Sequence, residues 1–416
     1  MATIPKIAMI PSGYKAGKVY SVLPTNGDAD LTFTRVGALP SYNATRVNQN
    51  GLIEEVLSNV PRLDYSDGGC PSLLVEPQTT NIHLRSEEFD NIYWAKNGVT
   101  VTANNAISPR GDLTMDLMTE SAISEPHNLL TGVSTITPDV FQTFSVFFKK
   151  QSGSAQRYLR LDIQDTSFSN AGRALFDIET GTIALAPVNV GLATGVTSKI
   201  EDYGNGIYRA SVTVNLNGGF TQCRTQTFLQ NQKTSYVATY LGDGVSGVNL
   251  WGAQLSSSPY PTSDIPTVDS TVTRVEERVF KTGLTNYINS VQGGMEVECN
   301  LLGNQTDTVR FSLSNGSVNN RISLALTSTQ VTIFPIIGGG PAGATINYTY
   351  AFNDYTKFKV TWNTTIMRLF VNDVEVATSP ITTPFTPNLF TQFSLDTGST
   401  TAFFYGKVKQ INIYNE

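Results

Sequence analysis

Apolar and polar side chains alternate with a period of two along most of this chain, the signature of strands with one buried and one solvated face. In "GIYRASVTVNL" Tyr208, Ala210, Val212 and Val214 fall on one side, with Arg209, Ser211 and Thr213 on the other. "FQTFSVFFKK" groups Phe144, Val146 and Phe148, and "RYLRLDI" groups Leu159, Leu161 and Ile163. Thr180-Gly181 sits between two apolar runs and predicts a hairpin. Further on, "GGMEVECNLL", "TVRFSLS", "RISLALT", "QVTIFPII", "KFKVTW", "MRLFV", "VEVAT", "FTQFSLD" and "GKVKQINIY" read as strands, with Asn372-Asp373 as a two-residue turn. Residues 336–344, "IIGGGPAGA", read as a flexible loop without a packing role. Helical spacing is confined to about 51–57.

Residues 1–80 differ from the rest. Pro5, Pro11, Pro24, Pro40, Pro61, Pro71 and Pro77 keep strands short, and turn signals fall at Asn26-Gly27, Asn50-Gly51 and Asp67-Gly68-Gly69. This section is expected to be an extended arm with small hairpins that packs on something else, because it cannot bury enough surface to offset chain entropy. The pattern therefore predicts an all-β chain of tandem antiparallel β-sandwiches of jelly-roll type, preceded by an extended N-terminal arm. Residues 81–278 form the first sandwich and 279–416 the second, with the boundary near 276–284. A length of 416 residues suits two or three domains.

Composition narrows the function. Apolar residues make up 40 % of the chain, enough for real cores, while only 15 % are charged, which suits Thr-rich sheet surfaces. A net charge of −6 without a dense Lys/Arg run argues against nucleic acid and against polybasic membrane adhesion. No apolar run is long enough to span a bilayer, so no membrane insertion is expected. The N-terminus lacks the pattern of a secretion signal, because Pro5, Lys6, Pro11 and Lys15 interrupt it. Cys70, Cys223 and Cys299 are odd in number and far apart, which reads as buried free thiols from a reducing cytosol.

At Arg85 the chain enters a run, "RSEEFDNIYWAKNGVTVTANNAISPRGDLTMDLMTE", that resembles the start of a module common in bacteriophage structural proteins. "TFSVFFKK", "ALFDIETGTI", "IEDYGNGIYRASVTV", "GVNLWGAQL" and "PTSDIPTVDSTVTR" follow in order. The opening stretches "FTRVGALPSYNATRVNQNGLIEEV" and "PRLDYSDGGCPSLLVEPQTTN" look phage-like as well. The C-terminal part resembles laminin G-like and other concanavalin A-like sandwiches through "KFKVTWN", "RLFVNDVEV" and "YGKVKQINIYN", although its turn is Asn-Asp where Asn-Gly is usual. The resemblance implies a head-spike, head-fibre, decoration or tail-adhesin component, often carbohydrate-binding and commonly trimeric, although no heptad is visible here. It places the protein on a virion surface after synthesis in the host cytoplasm. Its partners would be other virion proteins, through the N-terminal section, and host-surface or environmental glycans; the alternatives are a tail or connector protein that binds only other virion proteins, or a capsule polysaccharide depolymerase.

Candidate chemistry is sparse. His83 and His127 are the two histidines; neither lies in a nucleophile motif, and both read as structural. Glu296 and Glu298 lie two apart on a strand, with Cα atoms about 6.6 Å apart on one face, a spacing a retaining glycosidase could use. The pair lacks a third acidic partner and reads as a solvated face opposite Met295, Val297 and Cys299. No catalytic residue is assigned, and the chain is expected not to be an enzyme. For sugar binding, Trp94 with Tyr93 and Asp90 is the first candidate anchor, in a turn-rich segment expected to expose a ring. Trp251 and Trp362, in strand settings, are expected to be buried. Asp162 with Asp165, or Asp202 with Asn205, could take calcium, but no spacing matches a known loop; no other cofactor is expected.

Overall fold

The computed structural model describes residues 4–35, 44–237, 239–303, 308–352 and 354–415. Every regular element among them is a strand, and all paired strands run antiparallel, so the chain is all-β. It divides into two compact units, one of residues 1–42, 56–78 and 275–416, the other of 43–55 and 79–274.

The second of these units is a sandwich. Its seven-stranded sheet runs Trp94–Asn97, Asn128–Thr131, Gln222–Gln230, Tyr158–Gln164, Ala171–Asp177 and Thr182–Val190, with Ser134–Thr135 also on Gln222–Gln230. Its six-stranded sheet runs Val99–Ile107, Leu113–Glu120, Gly247–Ser256, Phe141–Lys150, Ile207–Asn215 and Thr194–Asp202. The alternating residues meet between them: Phe144, Val146, Phe148 and Val212 from one sheet pack on Leu159, Leu161 and Ile163 from the other. The predicted hairpin is present, with Asp177 paired to Thr182. Its Gly181 takes φ 62°, and an added Cβ would stand 2.2 Å from the Tyr208 ring, so only glycine fits.

One residue changes the phase of the strand Gly247–Ser256. Val248 and Leu250 point into the main core, as do Ala253 and Leu255, yet Trp251 points the other way. Gly252 makes this switch with φ 61° at a shift in register, where Phe147 opposes Trp251 and Ser145 opposes Gln254. Trp251 then joins Met115, Phe147 and Ile207 on the far side of the sheet, where Val47 and Ile53 cover them. Residues 51–57 are thus not helical: Ile53–Val56 pairs with Ala44–Val47 as a hairpin. The segment's two buried residues, Ile53 and Val56, lie three apart, which gives the sequence its helical spacing although the backbone is extended.

The other unit is also a sandwich, and here the expected arm is corrected. Its ten-stranded sheet includes Tyr14–Lys15, Lys18–Val19 and Leu31–Thr34, and its eight-stranded sheet includes Ile7–Met9, Arg62–Asp64 and Ser72–Val75. Ile7 pairs with Ile413, Val75 with Gly406, and Phe33 with Val279. These N-terminal strands are too short to make a core of their own, and they bury Met9, Phe33 and Leu73 in the C-terminal one. The division between units falls at 274/275. The 336–344 segment is not a loose loop either. Gly340–Pro341 pairs back on Gln330–Ile337, and Ala342 is buried, its carbonyl accepting from the Thr382 and Thr383 amides. Asn372 and Asp373, both at positive φ, make the expected turn.

A buried ion cluster ties the N-terminal strands to this sandwich. Arg62, wholly enclosed, donates from Nη1 to Glu76 Oε2 at 2.6 Å and from Nε to Glu277 Oε1 at 2.8 Å, and its Nη2 bonds Glu277 Oε2. Arg35 Nη1 donates to the same Glu277 Oε1 at 2.6 Å. The Glu76 amide donates to Glu277 Oε2 at 2.9 Å. Burial pulls the Arg62 guanidinium down, but Glu277 and Glu76 outweigh it and hold it above its ordinary value. Arg62→Leu leaves two enclosed carboxylates short of their donor and is expected to cost about 3–5 kcal/mol. Chemical denaturation of the full chain checks this, and an unchanged midpoint for Arg62→Leu contradicts it. A chain starting at residue 81 lacks Arg35, Arg62 and Glu76 and is expected to lose the cooperative melt of this sandwich.

Candidate functional site

Alternation that fills the core of the 79–274 unit also fixes what its seven-stranded sheet shows on the opposite face. With Leu159, Leu161 and Ile163 inside, Arg160, Asp162 and Gln164 point out; with Cys223 and Leu229 inside, Arg224, Gln226, Phe228 and Gln230 point out. Arg173 points out between Gly172 and Ala174. The antiparallel register then sets Asp162 between Gln226 and Arg173, Gln164 beside Arg224, and Arg160 beside Phe228. The result is one continuous patch of guanidinium, amide and aromatic groups.

Asp162 organises it. Arg160 Nε donates to Asp162 Oδ1 at 2.7 Å, Arg160 Nη2 bonds Oδ2, and Arg173 Nε stands 3.4 Å from Oδ2, in ion-pair range but not hydrogen-bonded. The Arg160 guanidinium lies 4.3 Å from the centroid of Phe228 and 5.8 Å from that of Tyr236. Gln230 fixes the 231–237 loop: its Nε2 donates to the carbonyls of Gln232 and Ser235 at 3.1 Å, and its Oε1 accepts from the Val237 amide. This loop carries Tyr236, whose hydroxyl donates to Ala186 O at 2.9 Å. Burial, then Asp162, pushes the Tyr236 phenol up to about 12, and burial together with Arg160 draws Arg173 down against the pull of Asp162. Asp162 and Gln164 form a buried floor, while Arg173, Arg224, Gln226 and Tyr236 remain partly open to solvent. Planar donors backed by fixed partners, beside an aromatic ring, suit the hydroxyls and apolar faces of sugars.

The predicted anchor Trp94 is not exposed. Trp94 is 1 % exposed, stacked on Phe89 with centroids 4.7 Å apart, and its Nε1 donates to Arg85 O at 3.0 Å. It opens the strand Trp94–Asn97 facing the core, so it presents no ring to a ligand. Tyr93 is half-buried, edge-on to Trp94 with ring centroids 5.3 Å apart and its hydroxyl 3.1 Å from His83 Nδ1, and Asp90 is exposed. His83 is enclosed, burial drawing it down to about 3, and its Nε2 meets Thr225 Oγ1; His127 lies between the carbonyls of Gly98 and Tyr240. Trp251 and Trp362 are buried.

Other residues singled out by sequence find structural partners. Glu296, 8 % exposed, accepts from Asn412 Nδ2 at 3.0 Å and Tyr414 Oη at 3.4 Å, while Glu298, half-buried, lies opposite Lys357 and Gln410. Their face is opposite Met295, Val297 and Cys299, which join the core. Asp162 serves arginines, Asp165 holds a turn through the amides of Ser169 and Asn170, and Asp202 accepts from the Gly204 amide. Among the described residues no group of three or more acidic, His or Cys side chains could hold a metal ion. Cys223 and Cys299 are buried and free, and burial pushes Cys223 up to about 12, but Cys70 is exposed in the turn after Gly68 and Gly69.

A second polar cluster went unread in the sequence. Arg110 Nη2 lies 2.8 Å from Glu87 Oε1 and 3.6 Å from Asp264 Oδ2, with the guanidinium 5.1 Å from the Trp251 ring centroid. Asp264 is enclosed, and neither of its carboxylate oxygens accepts a hydrogen bond among the described residues. Burial, reinforced for Glu87 by Asp264, Asp112 and Glu55, holds both carboxyls above their ordinary range against Arg110. With Asp264 closed off, the pair does not present two carboxyls to a substrate bond.

No protein-family model matches the chain, and no curated protein does. Among solved structures it is similar to the carbohydrate-binding module CBM40 of a Ruminococcus gnavus IT-sialidase, at 14 % identity and TM-score 0.27 over 30 % of this chain and 77 % of that one. Domain 4 of AbnA, a GH43 extracellular arabinanase from Geobacillus stearothermophilus in complex with arabinotriose, is similar at 15 % identity and TM-score 0.28 over 35 % and 71 %. The LG4-5 domains of the mouse laminin alpha1 chain are similar at 11 % identity and TM-score 0.23 over 70 % and 86 %. Likeness at this level carries no argument about what the chain does.

Two outcomes follow from these positions. Trp94→Ala empties a core site and is expected to destabilise the fold by about 3–5 kcal/mol, visible as a lower melting temperature; an unchanged one would return Trp94 to the surface. For Glu87, the folded chain keeps a proton that the unfolded chain has already released, so this group's contribution to stability falls as pH rises above the ordinary carboxyl value of 4.5. Melting curves from about pH 5 to 8 should show Glu87→Gln gaining on the parent chain as pH rises. Parallel curves would refute the raised pKa.

Proposed function

We propose that this chain is a non-enzymatic glycan-binding protein of a bacteriophage particle surface, and that the outer face of its seven-stranded sheet contacts the sugar. The observation that carries the binding reading is the patch of Arg173, Arg224, Gln226 and Tyr236 over an Asp162–Arg160 floor. A sheet face that only had to be solvated would need no bidentate floor and no loop pinned by Gln230. Fixed donors lose little freedom on meeting hydroxyls, which favours affinity.

The virion setting rests on the ordered phage-like motifs from Arg85 to Arg274 and on the opening stretches before them. Attachment to neighbouring virion proteins then falls to surfaces of the folded units. The described N-terminal strands are committed to a sandwich and do not form a free tether. A role without turnover agrees with an enclosed Glu296 that is held by Asn412 and Tyr414.

A glycan array probed with the full chain tests binding, with release of reducing ends from bound polysaccharides measured alongside. Gln226→Ala is expected to weaken binding about tenfold, or some 1.4 kcal/mol, at an unchanged melting temperature. Full affinity in Gln226→Ala moves the site elsewhere. Turnover abolished by Glu296→Gln with Glu298→Gln makes the chain an enzyme.

A further inference from the structure

Three guanidiniums, of Arg160, Arg173 and Arg224, share the outer face of the seven-stranded sheet with the carboxylate of Asp162, while a second carboxylate on that face, Asp177, sits at the strand end and accepts from Gln156 and the Glu179 and Thr180 amides. Arg160 takes both oxygens of Asp162, and Arg173 reaches one of them at 3.4 Å. Arg224 has no ion pair among the described residues; its Nη1 donates to the Thr131 carbonyl at 3.3 Å. The loop pinned by Gln230 adds the exposed Lys233. This local excess of positive charge occurs in a chain with a net charge of −6, so it does not follow from composition.

Hydrogen-bonding capacity is unbalanced in the same sense. Arg173 Nε, Arg224 Nε and Gln164 Nε2 are enclosed, and none has an acceptor among the described residues. All three are donors, and Gln164 and Arg224 are direct cross-strand neighbours. Turning the Gln164 amide over would supply a single oxygen, which cannot serve both guanidiniums in full. Burial also draws Arg173 down, a cost that a nearby anion would offset.

Resting on the glycan-binding reading above, we infer that the ligand of this face is an acidic saccharide whose carboxylate is taken by Arg224 and Arg173. A carboxylate brings two oxygens in the plane that a guanidinium fork matches. Neighbouring hydroxyls of the same sugar then fall to Gln226 and to the rim at Tyr236. Neutral sugars would leave the charge excess unmet.

The test is an array on which each carboxylated glycan stands beside its carboxyl-reduced, neutral counterpart, probed with the full chain at low and high salt. Binding is expected on the acidic members, to drop at least tenfold on carboxyl reduction, and to weaken with salt. Arg224→Ala is expected to remove that preference, and Arg224→Lys, which keeps the charge without the fork, to restore part of it. Melting curves of each variant show whether the fold is intact. Binding to neutral members alone, or acid preference unchanged in both Arg224→Ala and Arg173→Lys, overturns the inference and leaves glycan binding standing. Silence across the whole array removes the glycan-binding reading itself.

Discussion

A single guanidinium shut away from water sets the terms for the sandwich that both ends of the sequence share. Arg62 has no solvent to fall back on, so its charge is tolerable only while Glu76 and Glu277 surround it. Those two carboxylates come from segments 201 residues apart, and a backbone amide bond from Glu76 to Glu277 joins them as well. Arg35 closes the set from a third segment and reaches the carbonyls of Val56 and Leu57. Apolar contacts would tolerate several packings of short strands on a large core. Four charges that must all be matched tolerate far fewer.

This explains why strands of two to four residues, too short to be stable alone, hold fixed places in sheets of eight and ten. It also shows why the opening section has the sequence of an arm. Its prolines and brief apolar runs describe a segment without a core, which is correct locally. The information that it completes another core lies in Arg35, Arg62, Glu76 and Glu277, and no periodicity links residues so distant in sequence.

Where one face of a strand was buried and the other was not, the alternation could be read directly. Leu159, Leu161 and Ile163 were found inside, as were Phe144, Val146 and Phe148. Hairpins marked by Thr180-Gly181 and Asn372-Asp373 followed from turn chemistry. The candidate site was harder to see, because attention to scarce aromatic residues favoured Trp94, which the core claimed. The residues of the proposed site are the outward partners of those same core residues, in "RYLRLDI" and in "QCRTQTFLQ". What distinguished them was chemical type: Arg, Asp and Gln on a face that Thr and Ser would have served. Glu87, Arg110 and Asp264 gave no local signal at all, being 23 and 154 residues apart in sequence.

The pairing of Ile7–Met9 with Gly406–Tyr414 has a consequence for how the chain is made. On a ribosome, the 79–274 unit can assemble as soon as its own residues have emerged, since its contacts lie within 43–55 and 79–274. The earlier strands must wait, with Met9 and Phe33 uncovered, until a partner some four hundred residues downstream arrives. Contacts that distant are slow to form. These strands thus leave the ribosome well before the partners they pair with, and in that interval their apolar faces are open to capture by chaperones or by another copy.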